Sequence, residues 1–582
     1  MTTSDRLTVR IGRGGRSAVI AGIVMVLSIV AVPIPAQQAL DAGSLLREIE
    51  RATGKQEMAP APLAPIEHPS TEAPLPQKVG QTVFVASFRF KATRFSEDEL
   101  RTVLKDYVGR SLTLAELQEA TRKISDYYRQ HDYLAHAYLP PQTVRNGVIE
   151  IVVVEGRLGQ VRIDPSSTTR LDYSLATDLV GFRAGVGQWL RPTKLAEAMR
   201  VLNEIPGVKA TSTLAPGRAE SESVAVLKIE NGPLVNGSVT IDNGGSHATG
   251  AERVLTSVAI DDPFGHGEQF SVVGLKSSGS TYTRLGITMP VGVSGLTLGA
   301  NGSALGYKVG EAFAPLDLNG YAWTLGLTAT YPITRSPDFS LTASASFDHK
   351  RMVDWGSDTI LDDRRLEVCT LGLSAMVKDG WMGGGTNWLG ATVTIGQVDL
   401  TPQQEKFLAD EATARTNGTF EKLVLTATRE QPLVDTVTLM ASFQVQVAYP
   451  NLDGSEQFSL GGQNGIRAYP ASEASGDGGW MNTLEVRWKA LDKFHLFGFY
   501  DIGRIHQHNR LWTGWQPVPD QSNDYVLQGA GLGMTWSPYP NVQIKGALAH
   551  TLGDNAGHDA AGNDSDGTHD RVRSWIQAVI NF

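Results

Sequence analysis

The sequence predicts a membrane all-β fold: a 16-stranded β-barrel preceded by two small α+β units and a short N-terminal helix. From Asn236 to Phe582 no helical period is visible, and segments of about ten residues alternate apolar side chains with polar or small ones. The 582 residues are only 19% charged and include 61 Gly, whereas an average soluble protein is about 25% charged and about 7% Gly. After residue 36 no apolar run reaches the length of a spanning helix. Since only helices and closed barrels satisfy their backbone groups in lipid, a membrane location requires a barrel.

Residues 1–36 have the pattern of a secretory signal peptide. Four arginines precede an apolar stretch from Ala18 to Val32, and Pro33 to Ala36 follow as a small-residue end. The apolar stretch is about 15 residues long, shorter than the ~20 residues that a spanning helix needs. We therefore expect cleavage after Ala36.

A short amphipathic helix on a tether is predicted next. In residues 37–57, Leu45, Leu46 and Ile49 recur at helical spacing. A helix of this length is not stable alone in water. Residues 58–78 contain six prolines, which is the composition of an extended linker. The helix is therefore expected to dock on another part of the chain.

Residues 79–157 form the first α+β unit. A strand-like run over 83–90 precedes two helices, and each helix begins with a capping box. Two strands follow, over 135–139 and 148–155, and the order is β-α-α-β-β. The capping pairs are Ser96 with Glu99 and Thr113 with Glu116.

Residues 158–233 form the second unit, which we predict to be a copy of the first. The expected elements are a strand over 161–163, a polar segment over 173–180, a helix over 194–205, and strands over 210–214 and 223–229.

Residues 234–582 form the predicted barrel. Its alternation is clearest in 437–449, where Val437, Phe443 and Val447 share one face and Gln444 and Gln446 the other. An even strand count is typical of bacterial barrels, and a soluble β-sandwich or propeller is the alternative. The predicted strands begin near residues 237, 254, 268, 281, 294, 320, 339, 365, 384, 419, 437, 479, 495, 524, 542 and 573.

Composition and motifs argue against several other classes. The single cysteine, Cys369, excludes a disulfide scaffold, and a net charge of -10 argues against nucleic acid as a partner. His506 and His508 have the spacing of a metal pair, but a surface turn is the commoner setting of such histidines. Asp564 and Asp566 only partly fit a calcium loop. Since no P-loop, zincin helix or nucleophile elbow is present, we expect no enzyme activity, metal, nucleotide or other cofactor.

Motifs along almost the whole mature chain resemble the outer-membrane transporters of two-partner secretion, the TpsB branch of the Omp85 superfamily. The first unit matches in "RQHDYLAHAYLPPQTVRNGVIEIVVVEGRL" and the second in "LNEIPGVKATSTLAPG". The resemblance implies that the units are POTRA domains and that 37–57 is a plug helix. The matching positions are Pro140, Pro141, Gln142, Glu155 and Gly156 in the first unit, and Pro206 and Gly207 in the second.

Residues 448–478 carry the most specific match, to the family's long sixth extracellular loop. "FSLGGQNGIRAYP" includes Arg467 and Ala468, where the family motif reads Val-Arg-Gly-Tyr; Ala tolerates positive φ poorly. The resemblance implies that this loop folds into the barrel and that Arg467 pairs with Asp501; two separate hydrated charges are the alternative. The motif residues are Gly461, Gly462, Ile466, Arg467, Ala468 and Tyr469 in the loop, and Phe499, Asp501 and Gly503 of "FYDIG" on the facing wall.

By this resemblance the protein lies in the outer membrane of a Gram-negative cell, in contact with lipid, as a monomeric pore with its POTRA domains in the periplasm. It passively exports a large exoprotein of the TpsA haemagglutinin or haemolysin type, and the plug helix closes the lumen at rest. One alternative is an outer-membrane protein insertase of the same superfamily, which normally lacks the plug and its linker. The alternative from another class is a porin or barrel enzyme, for which two POTRA domains have no use.

Overall fold

The structure, a computed structural model, describes residues 41–54, 82–219, 221–310, 314–315, 317–516, 518 and 521–582. The predicted signal peptide and the proline-rich linker lie outside these residues. Among the described residues no helix is both long and apolar enough to cross a membrane.

The first helix, α1, spans Ala42–Gly54 within the predicted range of 37–57. The unit after it contains two helices, each of which begins with its predicted capping box. It also contains a mixed three-stranded sheet with the strand order β2-β5-β4. Its elements are β1 (Thr82–Val85), β2 (Ser87–Lys91), α2 (Glu97–Val103), β3 (Arg110–Thr113), α3 (Leu114–Gln130), β4 (Ala135–Tyr138) and β5 (Val148–Glu155).

The predicted strand over 83–90 was wrong in one respect, because it is two strands that belong to different sheets. The amides of Ala86 and Ser87 both donate to the carbonyl of Gly147, at 2.7 and 3.3 Å, and this breaks the strand. β1 then pairs with β3, a short strand that the sequence pattern did not reveal.

The second unit has the sheet order β6-β8-β7 and two helices. The segment over 173–180, expected to be merely polar, is a helix; Asp172 caps its start, and Gly185 at φ 78° ends it. Its buried residues Ala176, Leu179, Val180 and Ala184 have helical spacing, but Tyr173 and Phe182 are also apolar and are exposed, which hides the helical period. The elements are β6 (Arg157–Ile163), α4 (Tyr173–Ala184), α5 (Pro192–Asn203), β7 (Val208–Pro216) and β8 (Glu222–Asn231).

In the described part of the chain, sixteen antiparallel strands close into a barrel, which confirms the predicted fold class. All predicted strand starts lie within two residues of the observed ones except the eighth, predicted at 365 and observed at Thr359. Between the strands lie α6 (Gln404–Ala412) and a short pair, β20 (Phe458–Ser459) and β21 (Ser475–Gly476). The barrel strands are β9 (Val235–Asp242), β10 (Arg253–Asp261), β11 (Gln269–Lys276), β12 (Ser280–Val291), β13 (Leu296–Lys308), β14 (Leu318–Arg335), β15 (Phe339–Gly356), β16 (Thr359–Asp379), β17 (Gly385–Asp399), β18 (Gly418–Val434), β19 (Val437–Ala448), β22 (Gly478–Leu491), β23 (Phe494–His506), β24 (Asp524–Tyr539), β25 (Val542–Thr551) and β26 (Val572–Asn581).

The two faces of the barrel wall differ in the way that the alternation predicts. On β16 the outward Leu371 and Leu373 are 57% and 51% exposed, whereas the inward Leu366 and Val368 are 0% and 3% exposed. An outward belt of exposed apolar side chains is what a lipid-facing surface requires.

The second unit is docked against the turns at its own end of the barrel. Arg170 donates to the carbonyl of Asp262 at 3.1 Å, and Arg183 donates to the carbonyls of Ser294 and Pro332. These three carbonyls belong to the first three turns at this end, so the unit covers one side of the barrel opening.

Candidate functional site

The long connection between β19 and β22 folds into the barrel lumen. Its residues Leu460, Ile466 and Tyr469 are at most 1% exposed. They pack on lumen-facing side chains of β23 to β25, including Phe499 and Leu527. We refer to residues 449–477 as the inner loop.

Arg467, at the tip of the inner loop, lies in a charged socket on the barrel wall. Its Nε and Nη2 donate to the two carboxylate oxygens of Asp501, both at 2.9 Å, and its Nη1 donates to Glu485 at 2.7 Å. The carbon at the centre of its guanidinium is 3.4 Å from the ring centre of Phe499. Asp501 is 0% exposed and Glu485 2% exposed, so both carboxylates are shielded from water while the loop is seated. This bidentate geometry is among the strongest that an Arg can form with a carboxylate.

The backbone of Arg467 is tied to the wall as well. Its amide donates to Asp501 at 3.2 Å, and its carbonyl accepts from the indole Nε1 of Trp575, on the last strand, at 2.7 Å. Thr483 adds a hydrogen bond to Asp501 at 2.9 Å. The tip of the loop therefore joins β22, β23 and β26. Glu485 and Trp575 are site residues that the sequence patterns did not single out, although both lie on the lumen face of their strands.

Ala468 is accommodated without positive φ. Its φ is not in the left-handed region, and the residue is 0% exposed. A Cβ added to Gly529 of β24 would lie 2.4 Å from the Cβ of Ala468, so the missing side chain at 529 provides the space. Glycine is needed instead at Gly462, with φ 104°, and at Gly461, where a Cβ would meet the carbonyl oxygen of Pro470 at 2.1 Å.

α1 lies inside the barrel. Its apolar residues Leu45, Leu46 and Ile49 are at most 2% exposed and share one cluster with lumen-facing side chains such as Met352 and Phe420. The helix contacts β13, β14 and β15.

The polar edge of α1 contacts the inner loop. Arg47 donates to the carbonyls of Gly454 and Gln457, both at 2.8 Å, and Arg51 donates to the carbonyl of Ser459 at 3.3 Å. α1 is thus enclosed between the wall and the inner loop, and together they occupy the lumen.

A second charged cluster, which the sequence patterns did not reveal, holds the start of α1. Arg364 of β16 is 2% exposed. It faces four carboxylates: one from the segment that begins α1, one from the inner loop and two from the wall. They are Asp41 at 2.6 Å, Asp453 at 2.9 Å, Asp354 at 3.4 Å, and Asp362. The alternation places Arg364 on the lumen face of β16, but two of its partners, Asp41 and Asp453, come from distant parts of the chain.

In the first unit, the predicted motif residue Glu155 anchors the loop between β2 and α2. Its carboxylate accepts hydrogen bonds from the backbone amides of Thr93 and Arg94, at 3.0 and 2.7 Å, and from the hydroxyl of Tyr128 at 2.6 Å. Burial tends to raise the pKa of Glu155, but these hydrogen bonds outweigh burial and hold the pKa below its ordinary value.

The other motif residues of the two units shape turns and junctions. Gln142 exchanges two hydrogen bonds with the backbone of Glu150, both at 2.8 Å, next to the Pro140-Pro141 turn. Gly156 accepts a hydrogen bond from the amide of Leu190 at 2.9 Å, which joins the two units. Gly207, which follows Pro206, has φ 73°. A Cβ added to Gly207 would lie 3.1 Å from the side chain of Asp261 in the barrel.

The residues considered as alternative sites have other partners. Asp564 and Asp566 both pair with Arg573, at 3.1 and 2.7 Å. His506 contacts Asp524 at 3.0 Å, while the ring centre of His508 is 4.7 Å from that of Trp512. Cys369 is exposed. Within the described ranges no group of three or more His, Cys, Asp or Glu side chains could hold a metal ion.

A closed 16-stranded barrel with an exposed apolar belt, a lumen occupied by a helix and a folded-in loop, and two preceding α+β units define an Omp85-type outer-membrane protein. Residues 221–535 match the family described as "Haemolysin secretion/activation protein ShlB/FhaC/HecB", and residues 84–156 match the ShlB-type POTRA domain. Because the first match covers more than half of the chain, the protein belongs to the ShlB/FhaC/HecB family.

Individual relatives agree with this assignment. The chain is 25% identical to the heme/hemopexin transporter protein HuxB of Haemophilus influenzae, over 97% of this chain and 98% of HuxB. It is 25% identical to the outer membrane transporter CdiB of Escherichia coli, over 76% of this chain and 74% of CdiB. The solved structure of Escherichia coli CdiB superposes with a TM-score of 0.68 at 21% identity, covering 95% of this chain and 100% of that one. The barrel therefore lies in the outer membrane, and the two POTRA domains lie in the periplasm.

Proposed function

We propose that this protein exports a large partner exoprotein of the TpsA type across the outer membrane by two-partner secretion. One observation carries the proposal: a POTRA-bearing barrel whose lumen is occupied by a short helix and an inner loop. The pore works as a monomer, is surrounded by lipid and needs no nucleotide. α1 is the plug that closes the lumen at rest and leaves it during export.

The POTRA sheet edges support a capture step by strand addition, in which an extended segment bonds to free main-chain groups. In the first domain, side chains from its own helices already occupy parts of both edges. On β2, the carbonyl of Phe88 accepts from Arg101 at 3.2 Å and the amide of Phe90 donates to Glu97 at 3.1 Å. On β4, the amide of Ala137 donates to Ser125 at 3.0 Å.

In the second domain, the described part of the β6 edge is partly covered, and the β7 edge has free groups toward its end. On β6, Leu158 exchanges hydrogen bonds with the backbone of residues 187 and 188. On β7, Asn203 satisfies both the amide and the carbonyl of Ala210, at 2.8 and 2.9 Å. Main-chain groups alternate direction along a strand, so those of Ser212 and Leu214 point the same way, and among the described residues they have no partner. We therefore assign capture of the exoprotein to the outer edge of β7.

Secretion of the partner exoprotein by cells that express this protein tests the export function. Deletion of residues 42–54 should raise single-channel conductance in planar bilayers, because it removes the helix from the lumen. Unchanged conductance would contradict the plug assignment. Absence of secretion by the intact protein, with the barrel correctly folded, would contradict export itself.

The capture step is tested by Leu214→Pro, with Leu214→Ala as the matched control. Proline removes only the outward amide of residue 214, which an edge strand tolerates, whereas alanine keeps it. Secretion should fall at least tenfold in the proline variant and stay near wild type in the alanine variant. Equal secretion by both variants would remove β7 from the mechanism and leave export intact.

A further inference from the structure

The periplasmic turn between β16 and β17 presents two large apolar side chains. Trp381 and Met382 are 65% and 61% exposed. The flanking residues Gly380 and Gly383 have open space where a Cβ would lie. Two adjacent exposed side chains of this size form an apolar patch that calls for a partner.

This turn is held in one shape by outward side chains of β18. Gln431 Nε2 donates to the carbonyls of Met382 and Gly384, at 3.2 and 2.9 Å. Asp379 accepts from the amide of Trp381 at 2.9 Å. Met382 has φ 51°, which is uncommon for a residue other than glycine and persists only where the surroundings enforce it.

Charges beside the turn are already paired. Arg429 donates to Asp379 at 2.6 and 3.1 Å and to Asn387 at 2.8 Å. The centre of its guanidinium lies 4.9 Å from the ring centre of Trp381. The turn therefore carries no unpaired charge of its own next to the exposed Trp381 and Met382.

The position of the turn decides its partner. Arg429 lies on the same outward face of β18 as Leu423 and Leu425. These two leucines are 38% and 40% exposed and belong to the lipid-facing belt. The turn lies just beyond this belt at the periplasmic end. It is the fourth periplasmic turn, and the second POTRA domain bonds the first three; among the described residues no hydrogen bond joins it to that domain.

We propose that Trp381 and Met382 insert into the inner leaflet of the outer membrane and anchor the rim of the barrel that the POTRA domains leave uncovered. The partner is phospholipid at the boundary between headgroups and acyl chains, where tryptophan is favoured because its ring is apolar and its N–H is polar. The hydrogen bonds from Gln431 and to Asp379 hold the turn in one shape, and this shape fixes how deeply Trp381 and Met382 enter the membrane.

Spin labelling of the full chain in phospholipid nanodiscs tests the anchor. In a Cys369→Ala background, one variant carries a nitroxide at Met382→Cys, and the control carries it at Asp98→Cys, whose native side chain is 93% exposed on the first POTRA domain. The ratio of oxygen to nickel-chelate accessibility should be several-fold higher at residue 382 than at residue 98.

Three results would overturn the anchor. One is a ratio at residue 382 equal to that at residue 98, which indicates water. Another is dipolar broadening between labels at residue 382, which indicates a second copy. The last is protection of the label only after exoprotein is added, which indicates a contact with the passenger.

Discussion

Replacing Arg467 by alanine should release the inner loop from the barrel wall. The variant leaves Asp501, at 0% exposure, without its cation, and leaves Glu485, at 2% exposure, with only the half-exposed Arg487. Breaking a buried pair by removing one partner costs about 3 to 5 kcal/mol. Since about 1.4 kcal/mol is a factor of ten, the equilibrium for seating the loop should shift about 10²- to 4 × 10³-fold toward release.

Hydrogen exchange of the full chain in nanodiscs measures this shift. The amide of Ile466 donates to the carbonyl of Leu460 at 2.7 Å inside the loop, so its exchange reports loop opening. Its protection should fall by the same factor, and secretion should fall with it, while heat-modifiable folding of the barrel is retained.

Two control variants distinguish the effect of an unpaired buried carboxylate from a non-specific loss of stability. Arg487→Ala removes a guanidinium that also bonds Glu485 but is 38% exposed, so it should cost less than about 1 kcal/mol. Adding Asp501→Asn and Glu485→Gln to Arg467→Ala should restore part of the protection, because no buried charge is left unpaired. Unchanged exchange at Ile466 in Arg467→Ala would refute the view that this socket holds the loop.

Three further predictions concern other parts of the structure. Glu155→Gln should destabilise the first POTRA domain by about 1.5 to 3 kcal/mol at neutral pH. Because the folded pKa of Glu155 lies below its ordinary value, this loss of stability should be present above about pH 4.3 and vanish as the pH falls through the folded pKa. Urea unfolding of the wild type and the variant at several pH values measures the difference. Asn203→Ala should free both main-chain groups of Ala210, so exchange of its amide should rise about tenfold or more, as mass spectrometry of the intact protein would detect. Gly529→Ala should unseat the inner loop by about 1 to 3 kcal/mol through collision with Ala468, and exchange at Ile466 in the double variant with Ala468→Gly should return toward wild type.

The barrel was predictable because its two faces meet different solvents. Lipid outside and a polar lumen inside impose a strict alternation, and this alternation placed the strands. The exception is β16, whose far end over 359–364 has two aspartates and an arginine among its six residues. Asp362 and Arg364 belong to the buried charged cluster, and Asp363 pairs with Arg351, so the alternation of apolar and polar side chains fails where ion pairs replace it.

The resemblance predicted the pairing of Arg467 with Asp501. The other contacts inside the lumen, between α1, the inner loop and the wall, could not be predicted from any local pattern. Asp41 and Arg364 are separated by 323 positions and are brought together by the closure of the barrel. A period of two or 3.6 residues reports which face a side chain occupies, but it carries no information on what lies opposite across a lumen. The helix α4 was missed for a different reason, because its exposed residues include the apolar Tyr173 and Phe182, which obscure the buried face.

The contacts of α1 fit its proposed role as a plug that leaves the lumen during export. Its apolar face consists mainly of Leu45, Leu46 and Ile49, and burial of such side chains stabilises by about 1.5 to 3 kcal/mol each. Its buried ion pairs add little net stability, because the desolvation of each charge offsets the attraction; their partners, Arg364 and the carbonyls of the inner loop, instead fix where the helix sits. Once released, Arg47 and Arg51 regain hydration in the periplasm, and only the narrow apolar face opposes exit. A helix with a wider apolar face would close the lumen more tightly, but its exit would require far more energy than a passive exporter has available. The polar edge of α1 therefore makes closure specific, and the small apolar face keeps it reversible.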